Sequence, residues 1–277
     1  MKRLSFQVIS DIHITETDLQ SKHSRQLIRV LEDIRENDPD SAALVIAGDM
    51  TDRGMEEEYD GFLAVLKAMP HPRPYFALGN HDIRWHESYE VKRKRFEEKL
   101  GTSITYDFWL NGYLFIVLGT DYKDEATLKD HSYISETQLD WLEQKLAERS
   151  NPAKPIFVIL HQPFQETVAG SVEWHGVVPD AQLRSLLGRY PQVVYFSGHS
   201  HAALEMPHAL HREKFTMVNT ASVMASWNSL TEEQSSQGLY VEVYDDKVLI
   251  KGRDFAKKEW VQEAQYSIEF PARESTV

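Results

Sequence analysis

Seven residues of metal-binding type lie just after short apolar runs in this 277-residue chain. LSFQVIS leads to Asp11 and His13, LVIA to Asp49, YFAL to Asn80, IFVIL to His161, and VVYFS to His199 and His201. His81 and Asp82 follow Asn80 directly, adding an imidazole and a carboxylate at the same place. On an extended backbone, residues two apart face the same way. Asp11 with His13, and His199 with His201, are therefore each expected to clasp an ion from one strand end. Asp49 has two carboxylate oxygens and can bridge two ions; Asn80 adds a neutral carbonyl oxygen and His161 an imidazole. The set suffices for two ions that share one residue. Its mixture of oxygen and nitrogen suits Mn, Fe, Zn, Co or Ni and is too rich in imidazole for Ca or Mg. Two divalent ions, two carboxylates and a bridging hydroxide leave about one positive charge, which attracts phosphate. A pair ~3.5–4 Å apart can activate a shared water for in-line displacement.

Strands must bring these residues to a common edge. Apolar runs of this length, bounded by turn residues, read as buried strands, and amphipathic segments fall between them. Leu27, Val30, Leu31 and Ile34 recur at helical spacing within Ser24 to Arg35, and Tyr59, Phe62, Leu63 and Leu66 within Glu56 to Met69. Glu90 to Leu100, Ser135 to Ala147 (with Ser135 as its cap) and Asp180 to Arg189 read as further helices. Asn111-Gly112 joins Ile104 to Leu110 and Tyr113 to Leu118 as a hairpin. Beyond His201, segments near Phe215 to Val218, Leu239 to Tyr244, Val248 to Phe255 and Gln265 to Phe270 read as strand after strand. Alternation first and consecutive strands later imply a mixed α/β (α+β) fold, parallel in its first part and antiparallel in its last. One domain over residues 1–277 is expected, with a mainly β portion from about 212 to 271.

Composition narrows the function. With 30 Lys and Arg against 43 Asp and Glu, the chain carries a formal charge of −13 and lacks the basic footprint of a nucleic-acid binder. A small phosphate ester stays compatible, because bound metal reverses the charge locally. There is no cysteine, hence no disulfide and no thiolate metal site, and no apolar stretch long enough to span a membrane. Met1-Lys2-Arg3 lacks the apolar segment of a signal peptide, and the chain is expected to be cytoplasmic.

The series Asp11-x-His13, Gly48-Asp49-x-x-Asp52-Arg53-Gly54, Gly79-Asn80-His81-Asp82, His161 and Gly198-His199-x-His201 resembles the five-block signature of the calcineurin-like metallophosphoesterases. All five blocks occur in order. The resemblance implies a double β-sheet sandwich flanked by helices. It also implies that Asp11, His13, Asp49 and His201 hold one metal, while Asp49, Asn80, His161 and His199 hold the other. His81 would then stand near the leaving-group oxygen as a general acid or transition-state stabiliser, with Asp82 orienting its ring. Asp52 stands where purple acid phosphatases would carry a Tyr ligand, and Ile14 and Asp82 depart from the protein Ser/Thr phosphatases. The pattern is nearer the bacterial small-molecule and cyclic-nucleotide phosphodiesterases. The expected activity is hydrolysis of small phosphate esters, diesters ahead of monoesters and cyclic nucleotides among the candidates. A phosphomonoesterase or protein phosphatase, or a non-catalytic scaffold on the same fold, is the alternative.

Other residues are weighed against plainer roles. Arg53 either contacts phosphate or pairs with Asp52. Trp85, His86, Trp174 and His175 either line the substrate pocket or pack their own loops. His131 and His208 are expected at the surface, and Met217, Met224 and Trp227 in the core. Glu56-Glu57-Glu58 reads as a helix first turn, favoured there by the dipole.

Overall fold

The computed structural model describes residues 1–85, 87–122, 124, 126–148 and 151–271; His86, weighed between lining the pocket and packing its loop, lies outside them. The chain opens with β1 (Lys2–Ile9), α1 (Lys22–Asn37), β2 (Ala43–Ile46), α2 (Glu56–Ala68) and β3 (Pro74–Phe76). A 3₁₀ turn at His81–Ile83 and α3 (Tyr89–Leu100) lead to the hairpin of β4 (Tyr106–Leu110) and β5 (Tyr113–Val117). Then follow β6 (Ser132–Tyr133), α4 (Glu136–Glu148), β7 (Ile156–Ile159), β8 (Val177–Val178), α5 (Asp180–Leu187) and β9 (Val193–Ser197). The last part holds β10 (Leu210–Arg212), β11 (Thr216–Asn219), β12 (Ser226–Asn228), β13 (Glu233–Ser235), β14 (Gln237–Tyr244), β15 (Lys247–Asp254) and β16 (Glu259–Glu269).

Two six-stranded sheets result, in the orders β16-β15-β14-β1-β2-β3 and β10-β11-β9-β7-β5-β4. As expected, β1, β2 and β3 run parallel, as do β5, β7 and β9, while β14 to β16 are antiparallel; β11, from the part expected to be antiparallel, instead pairs parallel to β9. Alternate residues of each sheet meet in a shared core. Phe6 of β1 sits edge-on to Phe115 of β5 and Phe157 of β7, each at 5.0 Å between ring centres. Each such buried ring contributes about 1.5–3 kcal/mol. The opposite faces carry α1 and α2 on one side, through Leu27, Leu31 and Phe62, and α4 and α5 on the other, through Leu142 and Leu183. Both faces of the central strands are thus covered, which is why they read as unbroken apolar runs.

Local signals act as their chemistry requires. Asn111 (φ 49°) and Gly112 (φ 80°) are both left-handed, as a two-residue hairpin turn demands. Ser135 Oγ accepts the Gln138 N–H at 3.2 Å and starts α4. The acidic run does open α2, but Glu58 is buried and its Oε2 accepts the N–H groups of Arg53 and Met55. Among the described residues, no helix is long and apolar enough to cross a membrane.

Candidate metal centre

Asp11, His13, Asp49, His199 and His201 all sit just past strand ends in the left-handed region, with φ between 51° and 69°. This corrects the extended-backbone argument for the pairs: β1 stops at Ile9, and the chain then turns sharply at Asp11 and again at His13. A non-glycine residue in this region costs about 1–3 kcal/mol and persists where its surroundings hold it. Here neighbouring loops do so. Asp11 N–H donates to Gly48 O at 3.1 Å, Ile12 N–H to Asp49 O at 2.8 Å, and Gly198 N–H to His161 O at 3.0 Å.

Glycines let the side chains crowd together. A Cβ on Gly48 would lie 2.4 Å from His161 Nδ1, and one on Gly79 would lie 2.1 Å from Asp49 Oδ1. Only residues without side chains fit at these two places.

The resulting cluster is dense. Asp11 Oδ1 lies 3.0 Å from His201 Nε2, Asp49 Oδ2 lies 3.1 Å from His161 Nε2, and His13 Nε2 lies 3.3 Å from His201 Nε2. Among the described residues, three groups bring their donor atoms within 4.8 Å of one another: Asp11, His13 and His201; Asp11, Asp49 and His161; His13, Asp49 and His81. His81 thus lies as close to the cluster as the residues expected to bind metal. His161 donates from Nδ1 to Ala47 O at 2.7 Å, which leaves Nε2 as the free nitrogen facing the carboxylates. His199 donates from Nδ1 to Asn80 Oδ1 at 2.9 Å. Asn80 therefore sits at the cluster with its carbonyl oxygen also holding an imidazole.

Four buried atoms here make no hydrogen bond: Asp11 Oδ1, His13 Nδ1, His161 Nε2 and His199 Nε2. Buried polar atoms normally find partners, and an ion is one explanation when they do not. Titration behaviour agrees with that. Burial, the largest influence, opposes charge on His13 and His161, yet the facing carboxylates prevail and lift them to about 10 and about 9. Burial likewise opposes charge on Asp11 and Asp49, but the histidines hold both below the usual carboxylate range. His199 is pushed down to about 3 by burial and by His161. The two buried carboxylates are thus balanced by imidazolium protons, which divalent cations would displace. The donor set fits such ions.

His81 and Asp82, neighbours in sequence, do different things. Asp82 does not orient the His81 ring, contrary to expectation. Its carboxylate is fully buried and accepts the N–H groups of Gly79 (2.9 Å), Asp49 (3.0 Å) and Thr51 (3.1 Å) together with the Thr51 hydroxyl (2.8 Å). The Asp82 carboxyl is pushed up to about 6 by burial and by the charge of Asp49. The His81 ring is instead held by the main chain of Asp52, whose carbonyl accepts from Nδ1 at 2.8 Å. Its Nε2 then accepts from Arg84 Nη1 at 3.0 Å.

A cavity of about 630 Å³ opens above the cluster, floored by Asp49, Asn80, His81, His199 and His201. Its walls include Arg84, Asp130, Trp174, Met224 and Trp227. Arg53 is not among the lining residues: its side chain is half exposed and its Nε pairs with Glu58 at 3.2 Å. The cation beside His81 is Arg84, which stacks on the Trp85 ring at 3.9 Å and lies 3.6 Å from Asp130. Arg84 carried no sequence signal, because its place depends on the 3₁₀ turn that precedes it. Met217 is in the core as expected, whereas Met224 and Trp227 line the cavity, since the β12 hairpin folds back over the site. Trp174 lines it too; His175 instead meets the ring of His131 at 4.7 Å. His131 is tied down by Gly176 O at 2.9 Å rather than free on the surface, and His208 is exposed.

Comparison with known proteins places these features in context. The family model described as calcineurin-like phosphoesterase matches residues 4–203. A 3',5'-cyclic-nucleotide phosphodiesterase from Nostoc is 25% identical over 203 residues, 72% of this chain and 71% of that one. A probable glycerophosphodiester phosphodiesterase from Arcobacter nitrofigilis is 27% identical over 212 residues, 69% of this chain and 71% of that one. Among solved structures, a dimetal phosphatase from Danio rerio superposes with a TM-score of 0.72 at 16% identity, covering 98% of this chain and all of that one (100%). That likeness extends the fold match beyond residue 203, into the β14 to β16 portion.

Proposed function

Because the chain belongs to the calcineurin-like phosphoesterase family and is a metal-dependent phosphoric ester hydrolase, we propose that it cleaves small phosphodiesters, cyclic nucleotides among them. In this reading Asp11, His13, Asp49, Asn80, His161, His199 and His201 hold two metal ions. The observation that carries it is the convergence of donor atoms from Asp11, His13, Asp49, His161 and His201, in groups within 4.8 Å, beneath an open cavity. The phosphodiesterase relatives and the cavity's volume, within the ~300–1,000 Å³ usual for small-molecule sites, favour a diester with an organic group on each side.

Two such ions, when bound, generate a nucleophile from water near neutral pH and polarise phosphoryl oxygens. The chain's own residues do the rest. Asp49 points Oδ2 at the cluster and uses Oδ1 to accept the His81 N–H at 2.8 Å, which fixes His81 relative to the cluster. With Nδ1 committed to Asp52 O, Nε2 is the nitrogen left to carry a proton to the departing alkoxide, once Arg84 Nη1, which donates to it at 3.0 Å, turns to the substrate's oxygens. Arg84, stacked on Trp85, supplies a fixed cation at the same wall for a phosphoryl or leaving oxygen. Trp174 and Trp227 offer apolar faces for the organic groups.

The test is hydrolysis of bis-p-nitrophenyl phosphate beside p-nitrophenyl phosphate, using metal-stripped protein resupplied with Mn, Zn, Fe, Co or Ni. Metal-restored turnover favouring the diester supports the reading. Preference for the monoester would move the assignment to a phosphatase, and silence with metal bound would sink it for simple esters.

A further inference from the structure

Beside the cavity lies a second recess of about 200 Å³, between α1 and the segment around Gln234 to Ala256. Lys22, Met224, Ala225 and Gln234 border both spaces, so the two adjoin. Lys22, Gln26 and Arg29 stand on one face of α1, spanning two turns, or roughly 10 Å along the axis. Lys22 and Arg29 are exposed, and among the described residues neither pairs with an acidic side chain, on a chain whose net charge is −13. Two residues that border the recess also carry buried polar atoms without hydrogen-bond partners. Gln26 donates from Nε2 to Met224 O at 2.8 Å, but its Oε1 is buried and makes no hydrogen bond. Ser236 is 4% exposed and its Oγ is likewise unpartnered.

Two cations without an acidic partner, and no acidic residue in the lining among the described residues, make a recess beside the cavity suited to an anion. We propose that it receives a second phosphate, carried by the same molecule whose ester lies against Asp49 and His81. The proposal rests on the hydrolase reading and extends it: the natural substrate is a diester with a further phosphate on one arm. Lys22 and Arg29 match the charge of a phosphate dianion and can donate charge-assisted hydrogen bonds to it.

The experiment is calorimetric binding to Mn-loaded protein of alkane-α,ω-diol bisphosphates, from butane to decane, against the matching n-alkyl monophosphates. At the length that spans the two spaces, the bisphosphate should bind about tenfold tighter, as one charge-assisted contact provides. Arg29→Ala should abolish that advantage and leave monophosphate affinity unchanged, while Arg29→Lys should keep most of it. No bisphosphate advantage at any length, or one that survives Arg29→Ala, would overturn the proposal. Turnover of bis-p-nitrophenyl phosphate in the same preparations tests the hydrolase reading separately, since the binding ratio needs no catalysis.

Discussion

Asp49 Oδ1 accepts the backbone N–H of His81 at 2.8 Å, so the carboxylate at the heart of the cluster also anchors the residue proposed to face the leaving group. Disturbing it should therefore remove metal and misplace His81 together. Asp49→Ala is expected to lose bound metal, read by plasma emission spectrometry, and diester turnover with it. Full metal content in that variant would contradict the shared-ligand role.

Gly79→Ala should behave alike without removing a charged group. The added Cβ would fall 2.1 Å from Asp49 Oδ1 and 2.3 Å from its backbone nitrogen, so the carboxylate and the main chain beneath it must both shift. Metal content well below wild type in a folded protein is the expected result; wild-type loading would mean that the turn yields instead.

The two arginines should separate cleanly. Arg84→Ala is expected to lower kcat/KM by about 10²–10³, the usual loss for one donor to a developing charge. Arg84→Lys should recover only part, because an ammonium lacks the planar fork that stacks on Trp85. Arg53→Ala should leave turnover unchanged but lower stability by about 1–3 kcal/mol, because Glu58 is buried and its Oε1 would lose the Arg53 donor.

Metal-free protein should weaken in alkali. His13 and His161 are lifted from 6.5 to about 10 and about 9, so the folded state keeps protons that the unfolded chain has released. Their contribution is complete below about pH 6.5 and fades as pH rises through about 9 to 10. The melting temperature of stripped protein should therefore fall between pH 7 and 10, and metal binding should release protons, seen as buffer-dependent heats. A flat profile with no proton release would mean that these rings are already neutral.

Away from the site, Arg253 Nη2 lies 2.7 Å from Asp33 Oδ2, and the Tyr240 hydroxyl donates to Asp33 Oδ1 at 2.7 Å, all of it buried. Removing one partner strands a buried charge. Arg253→Ala should cost about 3–5 kcal/mol in denaturant unfolding, with unchanged metal content per folded molecule. An unaltered midpoint would show that water reaches the pair.

Much of this was legible because burial leaves a plain trace. Strands covered on both faces must be continuously apolar, so the place where LVIA gives way to Gly48-Asp49 marks a sheet edge without any structure. Asn111-Gly112 was legible because so few residue pairs tolerate two left-handed positions. The role of Asp82 was not, since which N–H groups it collects depends on how the loops after β2 and β3 meet. Arg84 was hidden for a similar reason, and so were Met224 and Trp227, whose hydrophobicity is the same whether they fill a core or wall a cavity. The left-handed turns at Asp11 and His13 ran against intrinsic preference, and tertiary hydrogen bonds decided them.

His161 follows a strand of one sheet yet donates to Ala47 at the edge of the other, and the His199 N–H crosses the same way to Asp11 Oδ2 at 3.1 Å. The site is therefore a seam. Any sliding of one sheet over the other separates its two halves, and an ion held from both sides acts as a rivet against that shear. Under mechanical or chemical load, the ions should leave when the layers slip, before either sheet unravels strand by strand.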